Sequence, residues 1–378
     1  MSDTIVSGKD RKRLRIQGVR DGQPLLGPQT VHFDIANGCN VRCTTCWHHS
    51  PLLLPQHVPT AAWKRQQMPL ETFRGIFDDL IKLGGLDHII LSGMGDPSLH
   101  PDLVEMVQYA HRHGIQVTII TNLLQVKLDQ LLADREKIEA GMLDLLVSVC
   151  GVTHEVWNEF HAASSGFDKL LGQLEILKAS GFRPKHVQVI NAYNYHQLEE
   201  MVRFALKYPA KRINFKFASL AKGTEACALS AAQKRELLED YIPRARAIAE
   251  FNGIATDLAE FATQIDPDSH RTSPIEQVGC YMGTVYCRIT VDLELLYCCN
   301  TDVSVGFITP EKSFHDLWTG PEYRDLRLRI GGGDFFPSCQ QCGKYKQNVK
   351  WAIKLGKISK ADDIVALSAK PCSGGSEE

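Results

Sequence analysis

Between about residue 30 and residue 217 the chain alternates short runs of β-branched and other apolar residues with longer stretches whose apolar positions recur at helical spacing. The short runs His32 to Ala36, His88 to Leu91, Ile115 to Thr121, Leu143 to Val149, Val187 to Asn191 and Arg212 to Phe217 predict six strands. The stretches between them predict helices. Leu70 to Leu83 is stopped by Gly84-Gly85 and Asp102 to His113 by Gly114, with Asp129 to Ala140, Phe167 to Ala179 and His196 to Tyr208 following. A strand-then-helix order repeated in this way implies a parallel sheet. The alternation fits a barrel, closed or partly open, and equally a doubly wound sheet. Both architectures place their chemistry at the carboxyl ends of the strands.

Beyond the sixth strand, Ala231 to Asn252 predicts a connecting helix, and Thr263 to Ser273, rich in Asp, Ser and Pro, a linker. From Ile275 the pattern changes to a hairpin-like stretch, Thr284 to Tyr297, and a helix near Phe314 to Ile330, which marks a second, smaller domain. The expected division is an arm over 1–28, the β/α unit over 29–225, a connector over 226–273, the small domain over 274–345, and a helix with a disordered Ser/Gly/Glu tail over 346–378.

Composition narrows the function. The 378 residues hold 42 Lys+Arg against 44 Asp+Glu, a formal charge of -2, which argues against a broad nucleic-acid-binding face. The basic run Lys9 to Arg15 is read as a solvated arm. The first 30 residues lack the apolar core of a signal peptide, and no run of 18 apolar residues occurs, so a cytoplasmic protein without a membrane partner is expected. In a reducing compartment its 12 cysteines are better explained as metal ligands or reactive thiols than as disulfides.

The cysteines fall in two places. Cys39, Cys43 and Cys46 follow the first strand with CxxxCxxC spacing, and Cys280, Cys287, Cys298, Cys299, Cys339 and Cys342 lie in the last quarter. Three thiolates on one loop can hold three irons of a cubane and leave the fourth open. A zinc knuckle completed by His48 or His49 is the competing reading. In the second group, Cys280, Cys298 and the pair Cys339/Cys342 make four thiolates, enough to saturate a cluster or a zinc ion, with Cys299 and Cys287 as further candidates.

A CxxxCxxC loop after the first strand of a β/α chain resembles the radical S-adenosylmethionine (SAM) superfamily, over roughly Gln29 to Leu220. The resemblance implies a partial (β/α)6 TIM-like barrel. It also implies a 4Fe-4S cluster on Cys39, Cys43 and Cys46 whose open iron chelates SAM. Ser92-Gly93-Met94-Gly95-Asp96 resembles the loop that holds the methionine amino group, with Asp96 in place of the usual Glu. Thr121, Asn122, Ser148 and Asn191, at later strand ends, stand where the family contacts ribose and methionine. The residue before the third cysteine is Thr45 where the family usually has an aromatic, with Trp47 as the nearest substitute. The second cysteine group resembles the twitch domain, a short SPASM domain with one auxiliary 4Fe-4S cluster, although Leu293 stands where a Gly is usual. His48, His49 and His57 are then loop-ordering or solvent-facing residues.

The implied activity is formation of a 5'-deoxyadenosyl radical that removes a hydrogen atom from substrate, with electrons from a flavodoxin or ferredoxin. A small-molecule substrate is expected, a sugar, aminocyclitol or nucleoside oxidised with the auxiliary cluster as electron acceptor. One alternative is epimerisation with Cys150 as hydrogen donor; a second is modification of a ribosomal peptide, disfavoured because 28 residues before the barrel are too few for a leader-binding domain. A noncatalytic zinc protein is the reading from another class. Tyr193, Asn194 and Lys216 are candidate substrate contacts, Lys216 for a carboxylate or phosphate.

Overall fold

The computed structural model describes residues 8–269, 273–299 and 303–358, so Cys372, the terminal tail and the first residues of the arm lie outside the described residues. Nine strands form one sheet in the order β6-β5-β4-β3-β2-β1-β7-β8-β9. The first six are β1 (Thr30–Asp34), β2 (His88–Ser92), β3 (Gln116–Thr121), β4 (Leu143–Ser148), β5 (Lys185–Ile190) and β6 (Arg212–Phe217). All pair in parallel, and β6 does not close onto β1. This is the partial barrel.

The sheet continues on the other side of β1. There β7 (Tyr286–Ile289) pairs with it in parallel, His32 beside Arg288, and leads into the antiparallel strands β8 (Glu294–Leu296) and β9 (Ser304–Phe307). The hairpin of the second cysteine region is therefore an extension of the barrel sheet.

Alternation decides which face each residue takes. On β1, Val31 and Phe33 are fully buried toward the helices, Phe33 meeting Phe73 edge to face at 5.0 Å between ring centroids. His32 and Asp34 take the inner face, where His32 Nδ1 lies 2.9 Å from the Tyr286 hydroxyl. Among the helices, α1 (Gly8–Arg20) packs at the amino ends of the strands, and α2 (Leu70–Leu83) and α3 (Leu103–Arg112) follow β1 and β2. After β3 comes α4 (Arg135–Glu139); α5 (His154–His161) and α6 (Phe167–Ala179) join β4 to β5, and α7 (Leu198–Lys207) joins β5 to β6. Further on lie α8 (Ile242–Phe251), α9 (Phe314–Thr319), α10 (Pro321–Gly331) and α11 (Tyr345–Lys354).

Four expectations change. Lys9 to Arg15 is helical rather than a loose arm: it lies in α1, with Lys9, Lys12 and Arg13 exposed as expected and Arg15 buried against Asp87. The helix expected over Asp129 to Ala140 breaks into two short pieces, because Asp134 caps a fresh start by accepting from Lys137 N at 3.1 Å. The helix expected near Phe314 to Ile330 breaks at Gly320-Pro321, where Pro321 opens α10. The eight-residue α5 was not expected at all; it starts at Thr153, whose hydroxyl accepts from Val156 N, and ends at Ala162 with φ +44°.

Candidate active site

The first cysteine loop hangs from the carboxyl end of β1. Its thiols converge: Cys43 feels the charges of both Cys46 and Cys39, and Cys39 that of Cys46. Burial pushes the Cys39 thiol up to about 12, aided by Asp96 and Cys46, and pushes Cys43 and Cys46 upward too. Thiols this dry stay protonated unless a multivalent cationic centre takes the proton's place. Three dry, mutually close thiols are a donor set that an iron-sulfur cluster takes through one cysteine per iron.

The loop is held from both sides. Arg42 N and Thr44 N donate to His161 O (3.0 Å) and Phe160 O (2.8 Å) at the end of α5, so the unexpected helix has a clear task. On the other side Gly95 N donates to Ala36 O and Asp96 N to Gly38 O, at 3.1 and 2.8 Å. A Cβ on Gly93 would stand 2.0 Å from Ala36 O, and one on Gly95 1.8 Å from Gly38 O. These glycines serve close backbone approach to the cluster loop. His49, through Nε2 at 2.9 Å from Asn37 O, orders the same loop.

Asp96 is a buried knot. Its carboxylate accepts from Ser98 N (2.9 Å), Ser98 Oγ (2.6 Å), Thr121 Oγ1 (2.9 Å) and Asn122 N (2.7 Å). Asn122 Nδ2 in turn donates to Asn40 Oδ1 of the cysteine loop at 2.6 Å. Gly93, Met94, Gly95, Asp96, Thr121 and Asn122 therefore form one hydrogen-bonded rim around the cluster loop. Ser148, at the end of β4, is half-buried beside Val187. Asn191 accepts from Tyr193 N through Oδ1 at 2.8 Å and leaves a buried Nδ2 without a partner, an orphaned donor of the kind a bound polar ligand satisfies.

Cys150 is brought within electrostatic range of Cys43. Its thiol is engaged by backbone, with Sγ 3.7 Å from Val187 O and 3.4 Å from Val189 N, and burial raises it to about 12. Asn194 is wholly buried, and its Nδ2 donates to Cys150 O and Val189 O, both at 2.9 Å, which makes it a backbone brace. Tyr193 hydrogen-bonds Cys227 beneath the cluster loop. Lys216 is exposed on the inner face of β6, near enough to influence His32, Cys299 and Lys344.

The second cysteine group surrounds a cavity of about 260 Å³ into which Cys280, Cys298, Cys299, Cys339 and Cys342 all face. Burial pushes Cys280 up to about 12 and raises Cys342 as well. Cys299 goes the other way, to about 6, through a hydrogen bond from Cys298 and the nearby cations Lys344, Arg288 and Lys216. Leu293 adopts φ +68°, so the turn before Cys298 keeps the left-handed geometry of the glycine it lacks. Cys287 is not with the others: it is wholly buried on the opposite face of β7, beside Arg327 and Tyr323.

Two bridges join the regions, and the sequence reading missed both. Arg288 on β7 donates to Asp34 through Nε (2.8 Å) and Nη2 (3.0 Å), to Cys299 O through Nη1 (3.2 Å), and reaches Met94 Sδ at 3.3 Å. It ties together the end of β1, the Gly-Met-Gly loop and an auxiliary cysteine. The loop after β6 makes the second bridge: Trp47 Nε1 donates to Ser219 O at 2.7 Å, and Leu220 N to Gln341 Oε1, between Cys339 and Cys342, at 3.1 Å.

Residues 34–205 match the family model of the radical SAM superfamily, and residues 280–343 that of the SPASM iron-sulfur cluster-binding domain. The chain contains a radical SAM domain followed by a SPASM domain. Its cofactors are SAM and iron-sulfur clusters in both regions. Among curated relatives, the PqqA peptide cyclase of Ruegeria pomeroyi is 25% identical over 329 residues, 84% of this chain and 80% of the relative. The mycofactocin maturase MftC of Mycobacterium tuberculosis is 24% identical over 333 residues (85% and 77%), and the AdoMet-dependent heme synthase of Methanosarcina barkeri 22% over 314 (79% and 85%). Streptococcus suis SuiB bound to precursor peptide SuiA superposes with a TM-score of 0.61 at 16% identity, over 92% of this chain and 77% of that one. The anSMEcpe structure with bound AdoMet gives 0.60 at 13%, over 90% and 99%. Among these proteins a peptide is named for the PqqA cyclase and for SuiB, and heme for the Methanosarcina synthase. Among the described residues, no helix is long and apolar enough to cross a membrane.

Proposed function

We propose that this radical SAM enzyme modifies a peptide, using Cys39, Cys43 and Cys46 for the SAM-binding cluster and Cys280, Cys298, Cys339 and Cys342 for a single auxiliary cluster. The observation that carries the reading is the resemblance to a peptide cyclase over more than four-fifths of the chain. The site is compatible with a long substrate, because β6 leaves the barrel unclosed and Lys216 stands exposed on its inner face. When bound, the reduced cluster and SAM supply a carbon-centred radical that takes a hydrogen atom from the substrate, and the auxiliary cluster supplies an acceptor for the electron left behind.

The chain's own residues do the positioning. The Gly93 to Asp96 loop offers backbone groups to a charged amine at the rim, Asn122 and Asn191 offer amides, and Ser148 a hydroxyl. Cys150 is held by the β5 backbone within electrostatic range of Cys43.

The test is anaerobic turnover of the reconstituted enzyme with SAM and a chemical reductant, against peptides from short reading frames beside its gene and, separately, a panel of aminocyclitols and sugars. Stoichiometric 5'-deoxyadenosine with a peptide two hydrogens lighter is expected. Turnover confined to the polyol panel would overturn the peptide reading and restore alcohol oxidation. Metal analysis of the same sample should find about eight irons per chain with matching sulfide; zinc without sulfide would end the radical chemistry altogether.

A further inference from the structure

A second cavity, of about 270 Å³, lies at the opposite end of the barrel from the cysteines. Gln29, just before β1, and Asp87, just before β2, form its floor; Arg11, Lys12 and Arg15 of α1 line one side, and Trp351 and Lys354 of α11 the other. Four cations thus face one carboxylate. Asp87 is fully used: it accepts from Arg11 Nη1 (3.3 Å), Arg15 Nη1 (3.0 Å) and Gln29 Nε2 (3.0 Å).

Arg15 is the fixed element. Its side chain is 9% exposed, Nη2 donates to Gly85 O, and Nε is buried with no partner. A guanidinium held by two of its nitrogens with the third donor idle is short of one acceptor. Lys354 lies over the Trp351 ring, 4.6 Å from its centroid, and burial with the charges of Lys12, Lys350 and Arg15 lowers its pKa. No ion pair of the described residues engages Lys12 or Lys354. Like charges gathered around a concave space repel one another unless an anion joins them.

We infer that this cavity binds a small phosphate-bearing molecule. A phosphate has oxygens enough to meet several of the lining cations, and guanidinium and ammonium together suit its charge. Ile16 and Trp351 add an apolar wall that an organic portion of the ligand would cover. Because the cavity walls come from the first and last helices described, occupancy would clamp α1 and α11 onto the barrel floor. The inference is independent of the substrate of the radical reaction.

The test is calorimetric titration of the cluster-loaded full chain, saturated with SAM, with inorganic phosphate, AMP and adenosine, alongside thermal unfolding. Saturable binding of phosphate or AMP, a melting temperature that rises with its concentration, and at least a tenfold loss of affinity in Lys12→Ala/Lys354→Ala are expected. That variant leaves the Arg15–Asp87 contacts in place, so its folding is not at issue. Tighter binding of AMP than phosphate would mark an organic phosphate as the ligand, and equal binding the free ion. Adenosine binding as well as AMP, unchanged affinity in the variant, or absence of saturable binding would each overturn the inference. So would binding that appears only after truncation at Ile358, because the chain's own acidic carboxyl-terminal residues would then be the occupant.

Discussion

Replacing Arg288 by Met tests the joint between the two halves of the molecule. The substitution keeps most of the side-chain volume but removes both hydrogen bonds to Asp34, which has no exposed surface, and the bond to Cys299 O. Taking away one member of a buried ion pair costs about 3–5 kcal/mol, because the survivor is left charged and dry. His32 Nε2, 3.5 Å from Asp34, is no replacement, since burial holds the His32 pKa well below its usual value and keeps the ring neutral. Asp34 already sits above the ordinary aspartate range through burial, with Arg288 pulling it down; without Arg288 it climbs further. A carboxyl with a raised folded-state pKa is favourable below its unfolded value, about 4, and loses that advantage as pH rises through the folded value. The penalty is therefore expected to be small near pH 5 and full at pH 8. Denaturant midpoints of the cluster-loaded protein at the two pH values measure it. In Asp34→Asn/Arg288→Met the charge is gone from both sides, and most of the loss should be recovered. A shift below about 1 kcal/mol at pH 8, the range of an exposed pair, or one of equal size at both pH values, would refute the assignment of Arg288 as the buried counter-ion.

Other expectations follow from the same geometry. Gly95→Ala forces a Cβ onto Gly38 O and should abolish loading of the SAM-binding cluster while sparing the auxiliary one, read from iron content and electron paramagnetic resonance. Asp96→Ala removes the acceptor of four hydrogen bonds and should cost on the order of 3 kcal/mol and weaken SAM binding; an unchanged SAM affinity would show that the rim does not need this knot. Cys298→Ala should lose about four irons per chain and Cys299→Ala retain them, whereas the reverse result would make Cys299 the auxiliary ligand. Cys150→Ala should cleave SAM like the parent, with no change in solvent deuterium carried into product; loss of such a label would reinstate Cys150 as a hydrogen donor.

Helix Leu70–Leu83, helix Phe167–Ala179 and strand Arg212–Phe217 were legible to the residue, the helices from apolar spacing ended near Gly84 and Gly181 and the strand from the alternation of Ile213, Phe215 and Phe217 with polar neighbours. The cysteine loops were legible from spacing alone. What could not be read were contacts whose cause lies far away in the chain. The pairing of β7 with β1 leaves no local mark, and Arg288 within Tyr286–Ile289 looks like an ordinary outward-facing cation until Asp34 is placed beside it. The same holds for α1, polar along most of its length, whose anchors are the pairs of Arg11 and Arg15 with Asp87, more than 70 positions on. The short α5 carries too few turns for its period to stand out, yet its last carbonyls hold the cluster loop.

The β1–β7 pairing also holds two cysteine regions distant in sequence against one another. The cysteine loop leaves the carboxyl end of β1, and the auxiliary cysteines Cys298 and Cys299 leave the hairpin that β7 begins, so hydrogen-bonded register between neighbouring strands fixes one region against the other. A rigid sheet defines a position more closely than a linker between separate bodies does. Arg288 adds a lock to this register, since a slip of one residue would move it to the opposite face of β7 and away from Asp34. The loop after β6, tied to Trp47 on one side and Gln341 on the other, limits the movement of the two regions from the far side of the opening.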